Sequence, residues 1–400
     1  GLQYSYFDQT PATAYGHEDF FLVKFDSSGI IQWLKTGGSR HDVRPPGVLS
    51  RLEYISSIAT DTAGNVTVLG LIQDSAYFDS TLFVGSYFMA RYNKNSVLQW
   101  VKPIIDDQYI TTDLSGSIYT ANNSGTTRKV ARYDATNGAE IWRKFEHTYG
   151  GYIEDLTTDS QGYAYVLFSV KDSARFSNGT NLYGTGNVTA KYDTAGNMLW
   201  ARLLPRTLGQ KITTDSSDNI YVGGMFGGTI TLSNSTLTSR GGYDVLVVRY
   251  TPSGQLAGCL SAGGSQDDFL HSIGVSRHGV TVTGGSNNAW FDTNYLPGHQ
   301  VFIALADFST VSGAVKGVAE NPLMVYPNPA NEIVQVQLPE PQQQQTLLKL
   351  LDLQGRQVLV QTVEAGTTTA TLHLQQLSKG CYLVQVQTPQ QLWHQKLIIE

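Results

Sequence analysis

Four hundred residues, 41% of them hydrophobic, suffice for a large core and for more than one domain. Charged residues make up 15% and the formal net charge is −6 with no basic block, which argues against a nucleic-acid partner. No apolar run approaches the roughly 18–20 residues that cross a bilayer as a helix.

Gly, Ser, Thr, Asn and Tyr are abundant, which suits a turn-rich, all-β, extracellular protein. Cys259 and Cys381 fall in different predicted domains and read as two buried free thiols. The chain opens without a signal peptide. Residues 2–7 resemble the last strand of a repeat already under way, so a processed or truncated N-terminus is expected.

Five copies of one pattern follow. Each is a strand ending in a basic residue, a tight turn, then usually a tryptophan: Lys24 to Trp33, Arg91 to Trp100, Arg132 to Trp142, Lys191 to Trp200, and Arg249 to Gly258. The spans are 9, 9, 10, 9 and 9 residues. A second motif follows each copy: Ile58-x-x-Asp61-x-x-Gly64, Ile110-x-x-Asp113-x-x-Gly116, Leu156-x-x-Asp159-x-x-Gly162, Ile212-x-x-Asp215 and Ile273-x-x-Ser276. A repeat of about 40–60 residues with four strand signals predicts a β-propeller.

With the basic strand counted first, the rigid Asp/Gly turns join strands one to two and three to four. They share one face. The variable connections share the other, where binding usually sits. The longest second-to-third connection runs from Ser39 to Arg51. Its Arg40, His41, Arg44 and Arg51 are candidate ligand-binding residues.

Each motif has a structural reading beside its functional one. The tryptophans would pack between blades, or form a stacking ring. The basic residues would pair with turn aspartates at blade junctions, or form a cationic ring for an anion. Asp61, Asp113, Asp159 and Asp215 would make Asx turns, or hold Ca²⁺, although a calcium loop needs more carboxylates at closer spacing. No other cofactor or metal is expected. Asp106, Asp107, Asp267 and Asp268 are the acids available to a glycosidase.

Val301 to Asp307 and Ser312 to Lys316 resemble the first two strands of a split sixth copy, with residues 2–7 as its fourth. Joining the ends would close a ring of about six four-stranded blades over 1–318 and remove exposed sheet edges. After a linker at 319–324 the composition shifts: residues 321–400 hold 16 glutamines against 11 in 1–320. Short alternating runs between turn signals predict a small Ig-like β-sandwich over 325–400.

That tail resembles the type A C-terminal sorting domain of the type IX secretion system of Bacteroidota. The matching residues are Val325-Tyr326-Pro327-Asn328-Pro329-Ala330, Leu351-Asp352-Leu353-Gln354-Gly355-Arg356, Leu377-Ser378-Lys379-Gly380-Cys381-Tyr382 and Gln395-Lys396-Leu397-Ile398. The resemblance implies the type IX machinery as partner, and export to the medium or the outer-membrane surface, with removal of the tail. Residues 1–318 resemble SBBP repeats, as in Asp193-Thr194-Ala195-Gly196-Asn197-Met198-Leu199-Trp200. That match implies architecture and compartment without a defined activity. Tyr133-Asp134 through Trp142 resembles one tryptophan-docking repeat of quinone dehydrogenases. It stands alone, and their adjacent cysteine pair is missing. Asp-Ser/Thr-Ala resembles the O-glycosylation acceptor of Bacteroidota, which makes Thr62, Ser75, Ser173 and Thr194 candidates.

These readings lead to a secreted, non-enzymatic surface module for adhesion to polysaccharide or protein. An extracellular glycan hydrolase and a structural spacer are the alternatives.

Overall fold

The computed structural model describes residues 4–7, 10–13, 19–39, 53–72, 75–232, 235–276, 279–291, 294–306, 308, 323–338, 345–352, 356–387 and 392–400. Every regular element among them is a β-strand.

Four complete antiparallel meanders succeed one another. Blade I is Tyr54–Thr60, Val66–Leu71, Tyr87–Tyr92 and Leu98–Pro103. Blade II is Tyr109–Thr112, Ile118–Ser124, Thr127–Tyr133 and Glu140–Thr148. Blade III is Ile153–Thr158, Ala164–Val170, Gly186–Tyr192 and Met198–Pro205. Blade IV is Thr207–Thr214, Ile220–Leu232, Ser235–Tyr250 and Leu256–Gly264. The pair Phe20–Phe25 and Ile31–Gly38 precedes them, and Phe269–Ser276, Gly279–Phe291 and Asn294–Ala306 follow.

This order corrects the strand numbering expected from sequence. The Ile-x-x-Asp strand opens each blade and the tryptophan strand closes it. The connection from 39 to 53 therefore runs between sheets rather than within one. The two rigid turns still share a face, because the numbering moved by two strands.

Two further expectations change. Tyr4–Phe7 pairs with Thr10–Thr13 in a hairpin of its own instead of serving as a fourth strand. Asn294–Ala306 pairs with Gly279–Phe291 as the third strand of its sheet, so 301–306 does not open a sixth copy. Residues 312–316 lie outside the described residues.

Middle strands are buried almost continuously, as in Val66–Leu71 and Ala164–Val170, because a blade is covered on both faces. The apolar clusters lie between consecutive blades. Leu69 and Met89 of blade I pack with Ile110, Ile118 and Ala131 of blade II. Tyr119 and Val130 of blade II pack with Val166 and Val188 of blade III. Tyr165 and Leu167 of blade III pack with Ile212 and Val248 of blade IV.

Polar bonds repeat at the same junctions. Nε1 of Trp33, Trp100, Trp142 and Trp200 donates to the carbonyl of Lys94, Ala135, Thr194 and Pro252, each in the next blade's last turn. Along the first strands, the Thr112 hydroxyl donates to Thr60 O (2.9 Å), Thr158 to Thr112 O (3.0 Å) and Thr214 to Thr158 O (2.7 Å).

The basic residues do meet the turn aspartates, but inside one blade. Arg91 pairs with Asp61, Lys191 with Asp159 at 3.2 Å, and Arg132 with Asp113 at 3.8 Å. The next blade then leans on the pair. A Cβ at Gly162, whose φ is +78°, would lie 2.9 Å from Asp113 Oδ2, so glycine lets the turn close over the carboxylate.

A second hairpin grows from the far end of several blades and reaches back. Ser75–Phe78 and Thr81–Val84 pair onto Gly37 and Gly38 of the preceding sheet. Ser173–Arg175 and Asn181–Tyr183 pair onto His147 and Thr148 of blade II. The tip of Gly279–Phe291 pairs onto Gly263 and Gly264 of blade IV.

Asp244 lies under that last junction. Its carboxylate faces Gly263, where a Cβ would sit 2.3 Å from Cγ, and Oδ2 accepts the Arg240 amide at 3.0 Å. Burial, with the charge of Asp268 adding, pushes its pKa up to about 6.

In the C-terminal region Met324–Tyr326, Ile333–Gln337 and Thr369–His373 form one sheet. Thr346–Leu351, Gln357–Val363, Gly380–Gln387 and Leu392–Ile399 form the other. Val334, Val336, Leu372, Leu348, Leu350, Val384, Val386 and Leu397 fill the space between them. Cys259 is buried, whereas Cys381 is half-buried, short of the full burial expected.

Two outcomes follow from the junctions. Trp142→Phe removes the indole donor and should cost about 1 kcal/mol, and Trp142→Ala about 3 kcal/mol, in urea unfolding followed by circular dichroism. Unchanged midpoints for both would show that the indole does not hold blade II to blade III. For Asp244, the folded pKa lies above the unfolded one, so its stabilisation is full below about pH 4 and lost as pH rises through about 6. Asp244→Asn should therefore raise stability at about pH 7.5, by up to about 3 kcal/mol, with the gain vanishing below about pH 4. A gain independent of pH would refute the assignment.

Candidate functional site

The two prolines after Tyr326, Pro327 and Pro329, cannot donate to a ladder, because they lack an N–H. Between them Asn328 supplies a side-chain amide that acts as a substitute peptide. Its Nδ2 donates to Lys396 O at 2.7 Å and its Oδ1 accepts from Ile398 N at 2.9 Å. Ala330 continues the contact: its N–H reaches Ile398 O at 2.8 Å, and its carbonyl accepts from Glu400 N at 2.9 Å. The segment 328–330 thus clasps the free edge of Leu392–Ile399, whose other edge pairs with Gly380–Gln387.

The remaining motif residues shape the turns. Asp352 caps the Arg356 amide at 2.9 Å and binds its Nε at 2.7 Å. Gly355 lies outside the described residues. Gly380 opens the strand Gly380–Gln387, and Tyr382 donates from its hydroxyl to Ser378 O at 2.7 Å. Lys396 is exposed, opposite Leu383, while Leu397 is buried. The fold therefore brings Pro327, Asn328 and Pro329 to Lys396 and presents the lysine outward.

Elsewhere the candidates scatter. Arg40, His41, Arg44 and Arg51 all lie outside the described residues. The Ser39 amide binds Glu53 Oε2 at 2.9 Å, which ties the two ends of that connection together. Thr62 is exposed and its hydroxyl donates to Leu114 O at 3.1 Å. Ser75 starts a reaching hairpin and is half-buried. Ser173 is buried, with its hydroxyl on Asp172 at 3.1 Å. Thr194 sits in the turn that receives Trp142 and Arg132.

The acids named for a glycosidase hold the fold together. Asp107 is buried and pairs with Lys129 at 2.8 Å; burial pushes its pKa up. Asp267 accepts the Tyr243 amide at 2.8 Å. Asp268 accepts Gly264 N at 2.7 Å and Asn287 N at 3.0 Å. Asp106 has a positive φ of 43°. In the Asx turns, Asp61, Asp113, Asp159 and Asp215 each accept the amide four residues on, at 2.8–2.9 Å. Among the described residues no group of three or more His, Cys, Asp or Glu side chains converges as a metal site.

A shallow polar cleft of about 470 Å³ opens at the first junction, lined by Lys24, Gln32, Trp33, Lys94, Asn95 and Ser96. The other basic positions do not join Lys24 in a cationic ring. Arg91 and Lys191 are buried on their aspartates, and Arg249 stacks on Phe308 at 5.5 Å.

Residues 324–400 match the family described as the secretion system C-terminal sorting domain. No curated protein matches the chain. Similar solved structures include the Dos1 propeller, at 8% identity and a TM-score of 0.35, covering 86% of this chain and 94% of that one. A eukaryotic initiation factor follows at 9% identity and a TM-score of 0.28, covering 88% and 98%. TcdA4 of Morganella morganii matches at 8% identity and a TM-score of 0.23, covering 86% and 22%. The clasped sandwich and the family match agree, and the tail is a type IX secretion sorting domain that sends this chain out of the cell, to the medium or the cell surface.

Proposed function

We propose that the chain is a surface-displayed binding module: an SBBP-type propeller of about six blades that meets polysaccharide or protein through its variable face, carried out by its sorting tail. The sorting domain is the observation that carries this reading, because it puts the blades where external ligands are. The blade chemistry supports it. The acids of the rigid turns and junctions are spent on Asx turns, ion pairs and backbone amides, which is the economy of a scaffold. The source is read as a member of Bacteroidota.

Export gives the test. In cells with a type IX system, removal of 324–400 should keep the chain inside. Asn328→Ala removes two bonds to the terminal strand, destabilises the tail by about 1–2 kcal/mol and should lower the exported fraction. Export of the truncated chain at the wild-type level would overturn the role of the tail. Absence of binding by the folded full chain across a glycan and matrix-protein array would overturn the binding module.

A further inference from the structure

We infer that the outer strand of blade II and the hairpin paired onto it form a binding trough for an anionic, uronic-acid-bearing polysaccharide. The inference rests on the binding-module reading and names its site and ligand class.

The trough is built by register. Tyr149 donates its amide to Ser173 O at 2.9 Å, and Ser173 pairs with Tyr183, so Tyr149, Ser173 and Tyr183 form one row across three strands. The next row on the same face is His147, Arg175 and Asn181. Alternate residues on the hairpin's other face, Ala174 and Leu182, pack into the core with Phe176. The hairpin is therefore anchored from below, and its upper face exposes His147, Arg175, Asn181 and Tyr183.

The upper face has an unusual composition. Tyr183 is 72% exposed and Tyr149 50%, while Ser173 between them is 5% exposed. The outer tyrosines stand two strand spacings apart, about 9–10 Å, with a small residue as the floor. Phe145, 47% exposed, extends the ring surface along the same side of Glu140–Thr148. Rings with few rotatable bonds lose little entropy on binding, and their faces suit the C–H faces of sugars. Core packing does not use these rings.

Charge selects the sugar. Arg175 stacks its guanidinium on Tyr149 at 5.9 Å, and His147 lies beside it in register. Lys171 borders the row, its amide bound to Tyr149 O at 3.0 Å. The adjacent acid, Asp172, has Oδ2 occupied by the Ser173 hydroxyl. Lys171 and Arg175 outnumber the exposed Asp172, so the row is net positive and complementary to an anionic ligand. The flat guanidinium matches a carboxylate bidentately. Rings, an amide and cations line the trough, and aliphatic side chains do not, which favours a polyhydroxylated chain over an apolar protein surface.

Titration calorimetry of the full chain with alginate, dextran and dextran sulfate tests this. Alginate should bind, dextran should bind at least tenfold more weakly, and added salt should weaken the alginate complex. The double variant Tyr149→Ala/Tyr183→Ala should lose at least tenfold in alginate affinity. Arg175→Gln should lose at least fivefold for alginate and nothing for dextran. These side chains are exposed, and unchanged circular dichroism would confirm their folding. Preference for dextran sulfate, or equal binding of dextran, overturns the uronate assignment. Wild-type affinity in the variants overturns the site while the binding module stands. Binding of proteins but of no glycan on the array overturns the ligand class alone.

Discussion

A single blade cannot bury itself. Its middle strands are apolar on both faces, so each face needs a neighbouring sheet, and the core of the repeat region lies between blades. Everything else in that region follows from this. The tryptophan closes blades I to III because its ring covers the edge of the interface while its N–H finds a carbonyl in the next turn. The aspartate–cation pair sits where the next turn can cover it, so its desolvation is offset by charge, by Asx-turn amides and, in blade III, by the Tyr165 hydroxyl at 2.8 Å.

The same constraint divides the molecule's two faces by freedom to vary. On the rigid-turn side, the turns cap themselves through their aspartates and receive the tryptophan of the preceding blade, so a change at those residues disturbs a junction. On the other side the chain needs only to return, and blades use that liberty differently. Blade II turns back through Gly125 and Thr126 alone, whereas blade III inserts a whole hairpin. That hairpin stitches to blade II by two pairs and by Phe176 in the core. Its outer face exposes Tyr183, Arg175 and Asn181, with Arg175 stacked on Tyr149 of blade II.

Much of this was readable from the sequence. The fivefold basic-to-tryptophan spacing is imposed by a tight turn inside one hairpin, and such local geometry leaves a fixed interval. The sorting tail was legible because Asn328, Gly380 and Lys396 sit in ordered short motifs. The blade phase was not legible. A meander has the same local signals whichever hairpin is counted first, and the missing ladders, as between Leu98–Pro103 and Tyr109–Thr112, fix the boundary. The reaching hairpins were missed although they leave a signal: Ala76-Tyr77-Phe78-Asp79-Ser80-Thr81-Leu82 recurs as Ala174 to Leu182 and Ala289 to Leu296. The inward Ala and Phe of that pattern are what anchor it. Tyr149 and Tyr183 lie 34 residues apart, and no periodicity joins them until the register does.

The tail solves a different edge problem. Its last strand would expose a row of unpaired amides and carbonyls, an open template for aggregation. A side-chain amide can cover it, since one asparagine supplies a donor and an acceptor at the spacing of a peptide, and Ala330 adds the next two bonds. The clasp also fixes the register of the strand, and a slip of one residue would turn Lys396 inward and Leu397 outward. Because strand alternation sets which side chains point out, the same bonds that protect the edge keep Lys396 exposed and Leu397 buried.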